Sequence, residues 1–516
     1  MTQTYVIGHD VGTGGSKGVL ATTGGEIVAS GFEPYPIYHP RSDWAEQDPE
    51  DWWGAVTAVT RRMMEESGID PGRVEALGFA GQMLGIVPMD DSGVPLRPAI
   101  IWLDSRANEQ AERFIRRFGG RRMVIRIVGA APSGKDVVCK LAWLKENEPD
   151  VFEATHVFLD TTGFLVYRAT GETVIDHTGA GGTGIINNHS RQWSPLFARV
   201  LGLPLDKMPR IVSSIDVVGE LTAAAAKEMG LKNGTPVIAG MADIPAAATG
   251  SGALEDGDAH INIGTSSWLC LSLSRPRNLG KNGVAAVVSP DADMFLLIGE
   301  SETAGACLEW FARHFARPDE VRKAGGVREV FGVLDEVVDG VEPGAGRLLF
   351  TPWMFGERSP VADTSIRASF INLSLEHGRD HLLRAVYEGV AYNLRWLLDV
   401  VAGAGLACDP LRAIGGGAKS DVWMQIVSDV TRRRVEAVEN PQEAGAMGCA
   451  LAAAAAIGAY DSFKGIKKVV RIRRPFTPRE DCCRVYDQLY DVFRCIYPRL
   501  SGVCADLNSG GRKCAP

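Results

Sequence analysis

The chain has 516 residues, more than one ordinary core accommodates and enough for two large domains. Hydrophobic residues make up 45% and charged residues 23%, within the ordinary globular range. Its 54 basic against 63 acidic residues leave a net charge of −9, which excludes a global positive field for nucleic acid and favours a small diffusing substrate.

Met1 to Gly12 reads as a strand almost from its first residue. It lacks a basic start and an apolar signal core, so export is not expected. The longest small-apolar stretch, Cys449 to Ile457, is Ala-rich and too short to span a bilayer. Ten cysteines are scattered from Cys139 to Cys514 without a paired zinc spacing, and adjacent Cys482 and Cys483 make an awkward disulfide. Reduced thiols in a cytoplasmic protein are therefore expected.

In chain order, Tyr5 to Leu20 predicts two short strands joined by a Gly-rich turn. Asp48-Pro49 starts a helix, Asp as N-cap and Pro at the first helical position, with Trp52, Val56, Val59 and Met63 on its buried face. Val74 to Ala80 is a strand, Met83 to Met89 continues after a bend, and Asp91-Ser92-Gly93 turns. Ala259 to Leu271 repeats the opening pattern of apolar strand, Gly-Thr turn and apolar strand, which suggests a duplicated α/β domain. Leu383, Val386, Val390, Leu394 and Leu397 predict a long amphipathic helix. Arg412 to Ser420 is strand then Gly loop, and Ser420 caps a helix with Val422, Ile426 and Val430 as its stripe. Arg434 to Val438 is a short strand and Gln442 to Ala459 a helix of small residues. The helix Tyr486 to Tyr497 serves either an interface, as of a homodimer, or the core; Asn508 to Pro516 reads as a frayed polar end.

Four places could carry chemistry. Asp10 ends a strand and Gly12-Thr13-Gly14-Gly15-Ser16 follows, glycines freeing backbone N–H groups for an anion and hydroxyls adding donors. A carboxylate there could hold Mg²⁺; a plain hairpin turn is the alternative, weakened by the second turn Gly264-Thr265-Ser266. Gly415-Gly416-Gly417 precedes a helix and allows close approach of a base or phosphate, or else forms a flexible corner. Asp243, at the end of an apolar strand, could accept a hydroxyl proton during phosphoryl transfer, or cap the Ala246–Gly250 segment. Gln82, Met83, Trp102 and Asp104 offer amide, carboxylate and an apolar wall to polyol hydroxyls; otherwise Trp102 is core and Asp104–Arg106 a surface pair worth little.

The residues together resemble the FGGY carbohydrate kinase family over roughly residues 5 to 475. Asp10–Ser16 resembles its first phosphate motif, Ile263–Ser266 the second, and Gly240–Asp243 the segment with its catalytic aspartate. Trp44 to Trp53 is similar to its Trp-x-Glu-Gln-Asp/Asn-Pro segment. Gly81-Gln82-Met83 and Trp102–Arg106 are similar to segments of its xylulokinase branch. Lys140 to Asn147 and Ala368 to Glu388 fit the family signatures, Gly415–Trp423 the adenosine motif, and Glu443 to Gly448 the helix after it.

The resemblance implies two actin-like, ribonuclease-H-like α/β domains, of the sugar kinase, Hsp70 and actin superfamily, around a cleft that holds ATP and Mg²⁺. It implies a sugar-binding domain at residues 1–250, a nucleotide-binding domain at 251–475, and a C-terminal helix and tail at 476–516. Asp243 would be general base and substrate contact, and Asp10 would hold Mg²⁺ and position the transferring group. Gly12, Thr13, Gly14, Ser16, Gly264, Thr265 and Ser266 would bind phosphates. Gly415, Gly416, Gly417 and Lys419 would bind the rest of the nucleotide; Gln82, Met83, Trp102 and Asp104 would bind the sugar.

Four positions depart from the family pattern: His9 for an apolar residue, Leu84 for the xylulokinase His, Asn372 for Gly, and Ile244-Pro245 after the aspartate. The implied substrate is a small sugar or polyol, a ketopentose such as D-xylulose first, then a related pentulose, tetritol or pentitol. Glycerol is disfavoured because its kinases usually carry Arg-Glu at Met83-Leu84. An ATP-driven switch that recognises a protein partner, as in actin-like and chaperone relatives, is the alternative. A sugar-binding pseudokinase is disfavoured by Asp10, Asp243 and both Gly-Thr turns. No nucleic-acid module or membrane anchor is expected.

Overall fold

A computed structural model describes residues 3–128, 132–187, 190–277, 279–326 and 329–508. The expected tail beyond Asn508, with Cys514, lies outside the described residues. Among these residues two seven-stranded mixed sheets organise the chain. The first runs Val217–Glu220, Pro236–Ile238, Val74–Gly81, Tyr5–Val11, Gly15–Thr22, Ile27–Pro34, with Met241–Ala242 also pairing to Val74–Gly81. The second runs Val284–Val288, Phe295–Ser301, Ser267–Leu273, Ala259–Ile263, Leu411–Ile414, Val435–Val438, Ile472–Phe476.

The duplication expected from two short motifs extends to whole sheets. Tyr5–Val11 is antiparallel to Gly15–Thr22 and parallel to Val74–Gly81. Ala259–Ile263 is likewise antiparallel to Ser267–Leu273 and parallel to Leu411–Ile414. In both sheets a further antiparallel strand flanks the hairpin, Ile27–Pro34 in one and Phe295–Ser301 in the other. Central strands buried on both faces need near-continuous apolar runs, which is what Tyr5–Val11 and Ala259–Ile263 supply.

Local signals fix the flanking helices. Asp48 caps Pro49–Ser67, accepting from the Glu50 N–H at 2.9 Å, and Trp52, Val56, Val59 and Met63 are fully buried. Each such side chain stabilises the fold by roughly 1.5–3 kcal/mol. Ser420 caps Asp421–Thr431 by accepting from the Trp423 N–H at 3.0 Å. Arg379–Gly403 buries Leu383, Val386, Val390, Leu394 and Leu397 as its period predicts.

Two helices of small residues join the halves. Asp243–Ser251 and Ala444–Ala456 meet backbone to backbone: a Cβ on Gly448 would lie 1.9 Å from the Ala246 carbonyl oxygen, and one on Gly250 1.8 Å from that of Ala444. Ala444–Ala456 belongs to the 251–475 stretch of sequence, yet its Ala446, Cys449 and Ala450 pack with Val6, Val19 and Ala76 of the first sheet. The helix Glu480–Arg494 buries Cys483, Tyr486, Leu489, Tyr490 and Phe493, so this face is core, and a separate helix follows at Tyr497–Asn508. The nine described cysteines are unpaired. Among the described residues no helix is long and apolar enough to cross a membrane.

Candidate active site

The two carboxylates come together through strand register. Asp10 lies opposite Ala80, and Met241–Ala242 pairs with Ala80–Gly81, so Asp243 emerges at the same end of the first sheet as Asp10. Asp243 is the first residue of its helix, and its carboxylate accepts from the Ile244 N–H at 2.9 Å. Burial first, then the neighbouring charges of Asp10 and Glu300, raise its pKa to about 7. Burial also raises Asp10, while Lys17 opposes that shift. The N-terminus of Ala444–Ala456 faces Asp10: a Cβ on Gly445 would lie 2.3 Å from the Asp10 carboxylate. Only glycine leaves that carboxylate its room.

The first turn is held by side chains. The Trp102 indole donates to Thr13 Oγ1 at 2.8 Å, Gln47 Nε2 donates to the Thr13 carbonyl at 2.8 Å, and the Tyr35 hydroxyl donates to the Gly12 carbonyl. The Ser16 hydroxyl is buried without a protein partner among the described residues, and a Cβ on Gly14 would meet nothing. The second turn is held by backbone. Gly305 N–H donates to the Gly264 carbonyl at 2.8 Å, and the N–H groups of Ala304 and Ala306 donate to that of Thr265 at 2.9 and 3.1 Å.

The triple glycine lies against this second turn. A Cβ on Gly415, whose φ is +85°, would meet Asn262 Oδ1 at 2.5 Å; one on Gly417 would meet Ile263 Cγ2 at 2.6 Å. Lys419 Nζ donates to Gln442 Oε1 at 3.1 Å, and Lys17 Nζ donates to the Gln442 carbonyl at 3.1 Å. One residue, Gln442, thereby connects the first turn's strand to the glycine corner.

The residues expected on the sugar side divide. Gln82 is buried and donates to Gln47 Oε1 at 2.7 Å, leaving its own Oε1 without a protein partner. Met83 is half-buried against Ile244, Ala248 and Leu296. Trp102 has Lys135 and Arg358 each 5.7 Å from its ring centroid, and Arg358 is held by Glu300 of the second sheet and Glu302 just beyond that strand. Asp104, expected as a sugar ligand, is fully buried. It accepts from the Ala45 N–H at 2.7 Å and from Arg106 at 2.7 to 2.9 Å. Nor is Asp104–Arg106 a surface pair. Arg106 also donates to Glu46 at 2.7 Å and lies 3.7 Å over the Trp44 ring, so the two Trp-containing segments form one buried knot behind Trp102.

Family models match both parts of the chain: the N-terminal domain of the FGGY family of carbohydrate kinases over residues 5–250 and its C-terminal domain over 259–457. A xylulose kinase of Bacillus subtilis (strain 168) is 32% identical over 509 residues, covering 98% of this chain and 99% of the relative. The chain belongs to the FGGY family of carbohydrate kinases. It is a carbohydrate kinase, which uses ATP to phosphorylate a sugar, and that decides against the protein-recognising switch. A gluconokinase of the same organism is 27% identical, covering 95% of this chain and 94% of the relative. The crystal structure of gluconate kinase from Lactobacillus acidophilus superposes with a TM-score of 0.88 at 24% identity, covering 98% of this chain and all of that one, a likeness of fold.

The residues missed by sequence reasoning are Lys17, Gln47, Lys135, Glu300, Arg358 and Gln442. Gln47 stood inside a recognised motif but carried no sign that its side chain would bond Thr13, Pro36, Trp52 and Gln82 at once. The others are charged or amide residues in unremarkable sequence, brought to the cleft only by tertiary packing. Two departures from the family pattern have visible causes. Asn372 has φ +71°, where glycine is easier. His9 is fully buried with Nε2 2.9 Å from Thr60 Oγ1, and burial pushes it down to about 3, so it is a neutral packing group.

Proposed function

We propose that this FGGY kinase phosphorylates a ketopentose, D-xylulose first among the candidates, with Asp243 as the general base. The observation that carries the mechanism is Asp243, half-buried beside Asp10 at one end of the first sheet. In its ionised form Asp243 accepts the proton of the sugar hydroxyl as that oxygen bonds to the γ-phosphorus and the bond to ADP breaks. Backbone N–H groups and hydroxyls of Gly12–Ser16 and Gly264–Ser266 would stabilise charge on the phosphates, with Lys17 near the first turn. The glycine corner Gly415–Gly417, with Lys419, would accommodate the nucleoside.

The donor set fits a Mg²⁺ ion carried in with the nucleotide. Asp10 offers one hard oxygen donor, and no group of three or more His, Cys, Asp or Glu gathers for a metal among the described residues. Asp10 would hold the ion, which when bound offsets negative charge on the phosphates. The xylulose kinase of B. subtilis supports the ketopentose. Leu84, where that branch usually has a histidine, removes one polar contact and shifts which hydroxyls are paired.

A second reading, an aldonate such as gluconate, is favoured by Lys135. Its ammonium lies beside Trp102 without an ion pair or hydrogen bond among the described residues, and burial lowers its pKa against the opposing charges of Glu302, Glu300 and Asp136. An arriving carboxylate would give it a partner. The deciding experiment is ADP release from Mg²⁺-ATP with D-xylulose, other pentuloses, hexuloses, tetritols, pentitols, glycerol and D-gluconate. Strong stimulation by D-xylulose supports the ketopentose, and stimulation by D-gluconate alone replaces it with the aldonate. Indifference to the whole panel would sink both.

A further inference from the structure

Lys140 is a fully buried lysine in the helix Val137–Asn147, packed among Val137, Leu141, Leu144 and Ile100. A buried ammonium needs partners, and those it has are not carboxylates. Its Nζ donates to the Leu84 carbonyl at 2.7 Å and to the Ile101 carbonyl at 2.8 Å. Leu84 directly follows Gln82 and Met83; Ile101 directly precedes Trp102. The two segments are already bridged at Ile86 and Ile100 by hydrogen bonds of 3.1 and 3.2 Å. Lys140 ties them again where they diverge toward the cleft.

The tie acts on a strained residue. Leu84 has φ +62°, the left-handed region, which costs a leucine on the order of 1 kcal/mol or more. Its carbonyl is fixed in that conformation by Lys140. The charges facing the ammonium are Asp104 and Asp136, which favour the proton, and Arg106 and Lys135, which oppose it. Burial outweighs them and brings the group down to about 7.

We propose that Lys140 is a positioning residue for the sugar: by clamping the carbonyls of Leu84 and Ile101 it sets the spacing between Met83–Leu84 and Trp102 that the sugar requires. This rests on the reading that those two segments line the sugar side. It predicts a selective effect, because among the described residues both hydrogen-bond partners of the Lys140 ammonium belong to those two segments.

The test is ADP release with Mg²⁺-ATP and D-xylulose, or D-gluconate if that is the sugar that stimulates, in the native enzyme and in Lys140→Met. The expected result is a sugar KM raised about tenfold, with the ATP KM and ADP affinity within about twofold. Adding Leu84→Gly to Lys140→Met should recover part of the loss, because glycine adopts φ +62° unaided. In the native enzyme the sugar KM should rise above about pH 7 as the ammonium loses its proton, and Lys140→Met should flatten that rise. If the methionine variant does not fold, Lys140→Gln keeps an amide donor and is expected to show a smaller change of the same kind. Equal loss toward sugar and ATP, an unchanged sugar KM, or failure of both variants to fold would overturn the clamp. No stimulation of the native enzyme by any sugar would instead sink the sugar reading, and the clamp with it.

Discussion

The two Gly-Thr turns sit at matching places in matching sheets, yet they are held differently. Gly12–Ser16 is gripped by three side chains of the same half, Trp102, Gln47 and Tyr35. Gly264–Ser266 is gripped by the backbone of Ala304–Ala306 at the start of the next helix, while the glycine corner Gly415–Gly417 packs on Asn262 and Ile263 just before the turn. Backbone contacts of this kind are rigid and indifferent to side-chain chemistry. Side-chain contacts are tunable, and here one indole hydrogen bond ties Trp102, expected on the sugar side, to the first turn. Duplication supplied two matching turns, and packing then held one by backbone and the other by side chains, which under the proposed function leaves the first turn open to influence from the sugar side.

The largest effect should come from the proposed base. Asp243→Asn is expected to lower kcat by a factor of about 10² to 10⁴ while ADP binding, measured by calorimetry, stays close to native. Near-native turnover would remove Asp243 from the base role. The native kcat/KM should fall as pH drops through about 7, because the carboxylate must be ionised to take a proton. Stability should move the other way. A carboxylate raised in the fold destabilises above its folded value and has no effect below its unfolded one. Asp243→Asn should therefore raise the thermal midpoint above about pH 7 and leave it nearly unchanged below about pH 4.

Next in size is the rigid cradle. Gly415→Ala puts a methyl 2.5 Å from Asn262 Oδ1 at a φ of +85°, which should destabilise by about 1–3 kcal/mol. The ATP KM should rise well before the sugar KM does. Equal rises would mean that the two turns are not energetically separate.

Most of this division was legible only in part. Helix caps at Asp48 and Ser420, the period of Arg379–Gly403 and the repeated strand–turn–strand pattern are local, and the sequence carries them openly. The family's motifs point to Asp10 and Asp243, whose closeness is a consequence of register with Val74–Gly81 that no short window encodes. The alternative of an exposed Asp104–Arg106 pair failed, because a short charged segment does not show what packs over it. Its burial depends on Glu46 and Trp44 arriving from another segment. Helix Ala444–Ala456 was readable as a small-residue helix, but not as one that crosses to the first sheet.

The smallest effect tests the coupling itself. Thr13→Val removes the acceptor of the Trp102 indole but keeps the shape of the turn. Losing one such hydrogen bond costs about 1 kcal/mol, or roughly fivefold in binding. If the bond only steadied the phosphate turn, the loss would fall on ATP. If it carries coupling, removing it should raise the sugar KM several-fold and weaken the dependence of ATP affinity on bound sugar, since coupling is reciprocal. Thr13→Ser keeps the hydroxyl and should restore both. Thr265→Val, at the matching place in the second turn, has no side chain of the sugar wall to release and should leave that dependence intact. A matched response of Thr13→Val and Thr265→Val would erase the distinction between the turns, whereas a response confined to Thr13 would place the link between sugar and phosphate in a single indole hydrogen bond.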